Sequence, residues 1–200
     1  MIKRKPYGGT LREQLNASSR DRLYSFILDY GGIRGALVHA TRMVSEMQGN
    51  QELGPVESTL LGGAYVAAAL MTANLKGADR VQVRVQGSGP AGGLSVEANA
   101  FGEVRGYLAQ VPIAADPAGG GLAGLLGQGV LTVTRLLERA RQPFSGQVEL
   151  AYPTLAENLA HYYVVSEQTP TALRLSVRLD PSGAVRGAAG LFLQVLPGAD

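Results

Sequence analysis

Residues 59–73 read Thr-Leu-Leu-Gly-Gly-Ala-Tyr-Val-Ala-Ala-Ala-Leu-Met-Thr-Ala, a stretch without a charged side chain. Pro55 suits the first position of a helix, and Glu57 stands in its first turn, where free amides and the dipole favour an anion. From Leu60 to Leu75 the helix is apolar nearly all round, and a helix with no polar face must be covered on most sides. Gly62 and Gly63 each cost about 1 kcal/mol relative to alanine. Close approach of a sheet or helix along Gly62, Gly63, Ala64, Ala67, Ala68 and Ala69 is the expected compensation. The run is short for a membrane span, with Glu57 and Lys76 close on either side, so it is expected to be a buried central helix.

Around this helix the hydrophobic period is two. Val81, Val83 and Val85 alternate with Gln82, Arg84 and Gln86, followed by strand patterns at 94–98 and 104–111. These three runs predict an antiparallel meander. Further strands are expected at 130–136, 145–150, 173–179 and 185–196, the last two joined by the turn Asp180-Pro181-Ser182-Gly183. Upstream, the runs ending at Tyr30 and starting at Ile33 flank Gly31-Gly32 and predict a hairpin. Thr41 is expected to cap a brief helix through Met47, and Leu122 to Leu126 to form a helical turn. Thr154 with Glu157 three residues on is a capping-box pattern. The helix it opens should run to about Glu167, with Leu155, Leu159, Tyr162 and Tyr163 along one stripe. Strand clusters mixed with short helices predict an α+β fold, antiparallel-rich sheets packed on the Ala/Gly-rich central helix. Residues 1–18 are expected to be a polar extension and 19–200 a single core domain.

Composition narrows the function classes. Of 200 residues, 46% are apolar and the formal net charge is +2, too weak a field to imply nucleic acid. Lys3-Arg4-Lys5 is the one basic run, expected to be a solvated terminus. No apolar signal region follows it, so a cytoplasmic location is expected. Without cysteine there is no thiolate nucleophile, disulfide or cysteine-bound metal. His39 and His161 lack partners at ligand spacing, so no metal or other cofactor is expected in this chain.

Gly87-Ser88-Gly89-Pro90-Ala91-Gly92 fits GxGxxG after a strand. A dinucleotide site needs a helix to begin at those glycines, whereas Leu94-Ser95-Val96-Glu97 is a strand pattern, which favours a hairpin turn. No serine has a nucleophile-elbow setting, and nothing selects a carboxylate pair among Glu149, Glu157 and Glu167. No catalytic residue is expected. A ligand- or nucleic-acid-binding α+β domain stays open as the alternative function.

Four segments in order resemble the heat shock protein 33 family, also called the 33 kDa chaperonin. They are Asp21-Arg22-Leu23 with Ile33-Arg34-Gly35, Met71-Thr72-Ala73-Asn74-Leu75-Lys76, and Val83-Arg84-Val85-Gln86-Gly87-Ser88-Gly89-Pro90 with Val104-Arg105-Gly106. The fourth joins Ser166-Glu167-Gln168-Thr169-Pro170-Thr171 to Ala188-Ala189-Gly190-Leu191-Phe192-Leu193-Gln194-Val195-Leu196-Pro197. The resemblance implies an ATP-independent chaperone, a holdase whose partners are unfolding client proteins. In the family a helical linker and a four-cysteine zinc module follow the core and form a redox switch. No residue of this chain matches that switch, which implies either a fragment limited to the core or a form lacking the sensor.

Holding a client requires exposed apolar surface. In the last strand Leu191, Leu193 and Val195 are expected to point one way, and Phe192 and Leu196 the other. Phe192 and Leu196 are the candidate client-binding residues. The alternative is that both faces lie buried between layers. Exposed strands also invite pairing, so a homodimer joins the expected partners.

Overall fold

In a computed structural model describing residues 20–28, 32–114, 121–138, 140 and 142–198, the apolar run forms the central helix. The expected extension 1–18, with its basic run, lies outside the described residues. The first two helices are α1 (Thr41–Asn50) and α2 (Pro55–Met71). Gly54 caps α2, Pro55 follows, and the last turn tightens into a 3-10 turn over Thr72–Asn74. Helix α2 lacks a polar face because antiparallel sheets lie on two sides of it. One has the order β1 (Arg22–Leu28), β2 (Ile33–His39), β9 (Val185–Val195), β8 (Thr171–Leu179). The other runs β5 (Val104–Leu108), β4 (Gly93–Asn99), β3 (Arg80–Gly87), β6 (Gly129–Leu136), β7 (Phe144–Glu149). The helix touches β2, β8 and β9 of the first and β3, β4 and β5 of the second.

Two glycines permit this approach. A methyl on Gly62 would sit 2.7 Å from Val44 and 3.2 Å from Val177, and one on Gly190 would sit 2.6 Å from Val66. Gly63 behaves otherwise. Nothing lies within 4 Å of its missing side chain, so the close-packing explanation holds for Gly62 alone. Glu57 is buried in the first turn of α2, and its carboxylate accepts the Ile113 amide at 2.8 Å. A buried carboxylate with a charge-assisted partner and the helix dipole behind it is satisfied.

Helix α1 begins one residue earlier than a Thr41 cap would set it. Ala40 is the N-cap, and the Thr41 hydroxyl instead accepts the Ala188 amide at 3.1 Å, tying α1 to β9. The free amides of Arg42 and Met43 donate to the Asp21 carboxylate at 3.0 and 2.5 Å, so the cap comes from a residue just before β1. The remaining helices are α3 (Gly121–Leu126) and α4 (Leu155–Glu167). Both hydrogen bonds of the Thr154–Glu157 capping box form at the start of α4. Its stripe of Leu155, Leu159, Tyr162 and Tyr163 is buried between β8 of one sheet and β6 and β7 of the other. The meander appears as β3, β4 and β5, with β5 ending at Leu108 rather than 111.

Candidate functional site

The four-stranded sheet buries one face on α2 and α4 and leaves the other open. Antiparallel partners share a face, so the register gives the open surface row by row. Tyr24, Leu37, Leu191 and Arg174 form one row; Phe26, Gly35, Leu193 and Ala172 the next; Leu28, Ile33 and Val195 a third. Most of these side chains are apolar, and they are far from covered: Leu28 is 47% exposed and Leu37 44%. Phe26 lies over Gly35, where any β-carbon would collide with its ring. Strand β1 is exposed on its other face as well, at Leu23 and Ile27. One apolar surface therefore spans β9, β2 and β1 and wraps round the sheet edge.

The opposite face begins with the rows Leu23, Val38, Gly190, Leu175 and Ser25, Ala36, Phe192, Leu173. Phe192 is 1% exposed and packs edge-on against Tyr163, with ring centroids 5.4 Å apart. That corrects the assignment of Phe192 to a client surface: the ring belongs to the core beneath α4. Leu196, the other candidate, lies one residue past β9. It is half-buried, and its amide donates to the Gly32 carbonyl at 2.8 Å. Between them, Gln194 is buried in a polar row. Its amide oxygen accepts from the Arg34 Nε at 2.8 Å and its amide nitrogen donates to the Thr171 hydroxyl at 3.1 Å. Buried amides need such partners, so this row closes the inner core.

Helix α4 is fastened to the second sheet by a charged cluster. The Arg135 guanidinium on β6 lies 2.8 Å from one Glu167 carboxylate oxygen and 3.0 Å from the other. The Tyr162 hydroxyl donates to the same carboxylate at 3.1 Å, and Arg135 stands 6.0 Å from the Tyr163 ring centre. Burial raises both phenols above their ordinary range. Glu167 adds to the rise at Tyr162, and Arg135 partly offsets it at Tyr163. Gln168 follows in the left-handed conformation (φ 52°), and the Thr169 amide donates to Tyr163. The Ser166–Thr171 motif is thus the joint between α4 and β8.

The glycine loop is a closed turn. Its amides are consumed by backbone: Gly87 donates to Gly92, Ser88 to Gln128, Gly89 to Leu126 and Ala91 to Leu125, all between 2.8 and 3.2 Å. No helix starts there to face a phosphate. His39 lies 3.6 Å from Asp21, and His161 packs on Tyr152 at 5.3 Å. The zinc module implied by the family has no donors here. The sequence lacks cysteine, and among the described residues no three His, Asp or Glu side chains converge.

Sequence periodicity identified Leu191, Leu193 and Val195 as one face but missed Tyr24, Leu28, Ile33 and Leu37 beside them. The available signal was the hairpin flanking Gly31-Gly32, whose two strands each carry apolar residues in alternate positions.

Comparison with known proteins agrees with this architecture. The family model described as Hsp33 protein matches residues 21–200. The 33 kDa chaperonin of Desulforamulus reducens is 41% identical over 183 residues, covering 90% of this chain and 62% of that protein. That of Enterococcus faecalis is 35% identical over 184 residues, covering 90% and 61%. The crystal structure of the 33 kDa chaperonin from Thermotoga maritima superposes with a TM-score of 0.80 at 32% identity, covering 86% of this chain and 60% of that one. The chain thus spans about three-fifths of the length of these relatives. With the sheet order, the core helix and the Ser166–Thr171 joint accounted for, the chain belongs to the Hsp33 family.

Proposed function

We propose that this chain is an ATP-independent holdase core that captures unfolding proteins on the open face of its four-stranded sheet. The observation that carries this reading is the continuous exposed apolar surface of β1, β2 and β9. Contiguous apolar surface of that kind marks binding sites in soluble proteins. Its scale suits weak, general capture. A patch of about 400 Å² contributes roughly 10 kcal/mol at ~25 cal/mol per Å², against an association cost of about 4–15 kcal/mol. A homodimer presenting two faces would raise avidity. Holding makes and breaks no covalent bond, so the reading assigns no catalytic residue. It places the chain in the cytoplasm, among nascent and stressed proteins. Consumption of the glycine-loop amides supports independence from nucleotide.

Light scattering of a thermally unfolding reporter enzyme tests the proposal, with and without ATP and under reducing and oxidising conditions. Equal suppression in all four is expected, because the chain has no cysteine to oxidise. No suppression in any of them refutes holding by this chain.

A further inference from the structure

The open face ends at β8, and β8 has a second property. Among the described residues it pairs with β9 alone. The Val195 amide donates to the Pro170 carbonyl at 3.0 Å. Antiparallel alternation then turns the backbone groups of Ala172, Arg174 and Ser176 toward β9, and those of Leu173, Leu175 and Val177 outward. No hydrogen bond takes these outward groups among the described residues. Beside them runs an apolar groove of about 960 Å³, between β8, the first half of α2 (Val56, Leu60) and the start of α4 (Leu155). Arg174 and Ser176, which belong to the open face, also border it, so the groove opens at the strand's free edge. On that open face Arg174 and Arg178 have no acidic partner among the described residues, whereas neighbouring Arg186 pairs with Asp180 at 2.7 Å. Glu157, the acid at the groove, is engaged by the Thr154 amide and hydroxyl.

We propose that the free edge of β8 takes an extended client segment as a fifth strand, apolar at alternate residues and acidic between them. The inference rests on the holding function proposed above and names the class of segment held. Apolar side chains of the added strand enter the groove, while the intervening ones emerge beside Arg174 and Arg178. The same arginines disfavour a second copy. Antiparallel self-pairing centred on Ser176 would set Arg174 opposite Arg178 of the other molecule, and like charges directly opposed destabilise a ladder.

The test uses three capped eight-residue peptides: alternating Val and Glu, alternating Val and Lys, and the Val/Glu peptide N-methylated at alternate amides. Binding is read by fluorescence anisotropy, and hydrogen exchange is followed at the amides of Leu173, Leu175 and Val177. The Val/Glu peptide should bind about tenfold more tightly than Val/Lys, because two cross-strand pairs change from attraction to repulsion. It should slow exchange at all three amides, and the N-methylated form should not. Arg174→Glu with Arg178→Glu should invert the charge preference. Equal binding of the first two peptides, or equal protection by the N-methylated one, overturns the proposal. So does protection that rises with protein concentration in the absence of peptide, since a second copy then occupies the edge. Reporter-enzyme scattering separates the two claims. Suppression without peptide binding sinks the edge site alone, and peptide binding without suppression sinks the holding function.

Discussion

Replacing Leu28 and Leu37 with serine removes apolar area from the centre and rim of the open face while leaving the helices untouched. The two side chains are 47% and 44% exposed, so a client that covers them gains about half of a full leucine burial from each. Full burial contributes about 1.5–3 kcal/mol, which makes the exposed portions worth roughly 1 kcal/mol apiece. The double variant should therefore lose about 2 kcal/mol of client affinity, roughly thirtyfold in Kd. Phe192→Ser is the contrasting perturbation. Phe192 is fully packed against Tyr163, and its loss should cost about 3–5 kcal/mol of folding stability, a large part of an ordinary stability margin. The assay is suppression of reporter-enzyme scattering as a function of the concentration of each variant. It is run below the melting midpoint of each variant, with urea unfolding in parallel. The double serine variant should need many times more protein for half suppression while remaining folded. If it holds client as well as the parent chain, the open face is not the capture surface.

Other consequences can be measured directly. Gly63→Ala should stabilise by about 1 kcal/mol in urea unfolding, since its methyl meets nothing, whereas Gly62→Ala should destabilise by about 1–3 kcal/mol through contact with Val44 and Val177. Glu167→Gln removes the partner of a largely buried guanidinium. It should cost about 2 kcal/mol, below the value for a fully buried pair because both groups keep about a fifth of their exposure. Alkaline pH should destabilise the fold. Tyr162 and Tyr163 have folded pKa values raised above the unfolded value near 10, so stability is full below about pH 10 and falls as pH rises through that value toward the folded ones. Tyr163→Phe should flatten the fall in urea titrations, and an unchanged slope would remove that phenol from the account.

What the sequence disclosed depended on whether the cause was local. Thr154 and Glu157 form their capping box within one helical turn, and Val81 to Val85 alternate along one strand, so both were legible. The apolar circumference of α2 announced that it would be covered, and two sheets cover it. Partners far apart in the chain left no such mark. Nothing in the spacing of Asp21 indicates that its carboxylate caps the helix at Arg42 and Met43, or that Glu57 meets the Ile113 amide. The candidate site shows the same division. Period two separated Leu191, Leu193 and Val195 from Phe192, but period alone does not say which side a helix covers. Tyr163 of α4 settles it, by packing on Phe192.

The placement of β9 between β2 and β8 also sets an order of assembly. Ile33 pairs with Val195 and His39 with Ala189, contacts that join distant parts of the chain. Long-range pairings of this kind form slowly, because loop closure must be met before they return any stabilisation. During synthesis the second sheet has all of its strands once residue 149 has emerged, while the β1–β2 hairpin waits for residues 185–195. For that interval the surface that would later hold other unfinished proteins belongs to an unfinished protein itself, open to the same aggregation it would prevent.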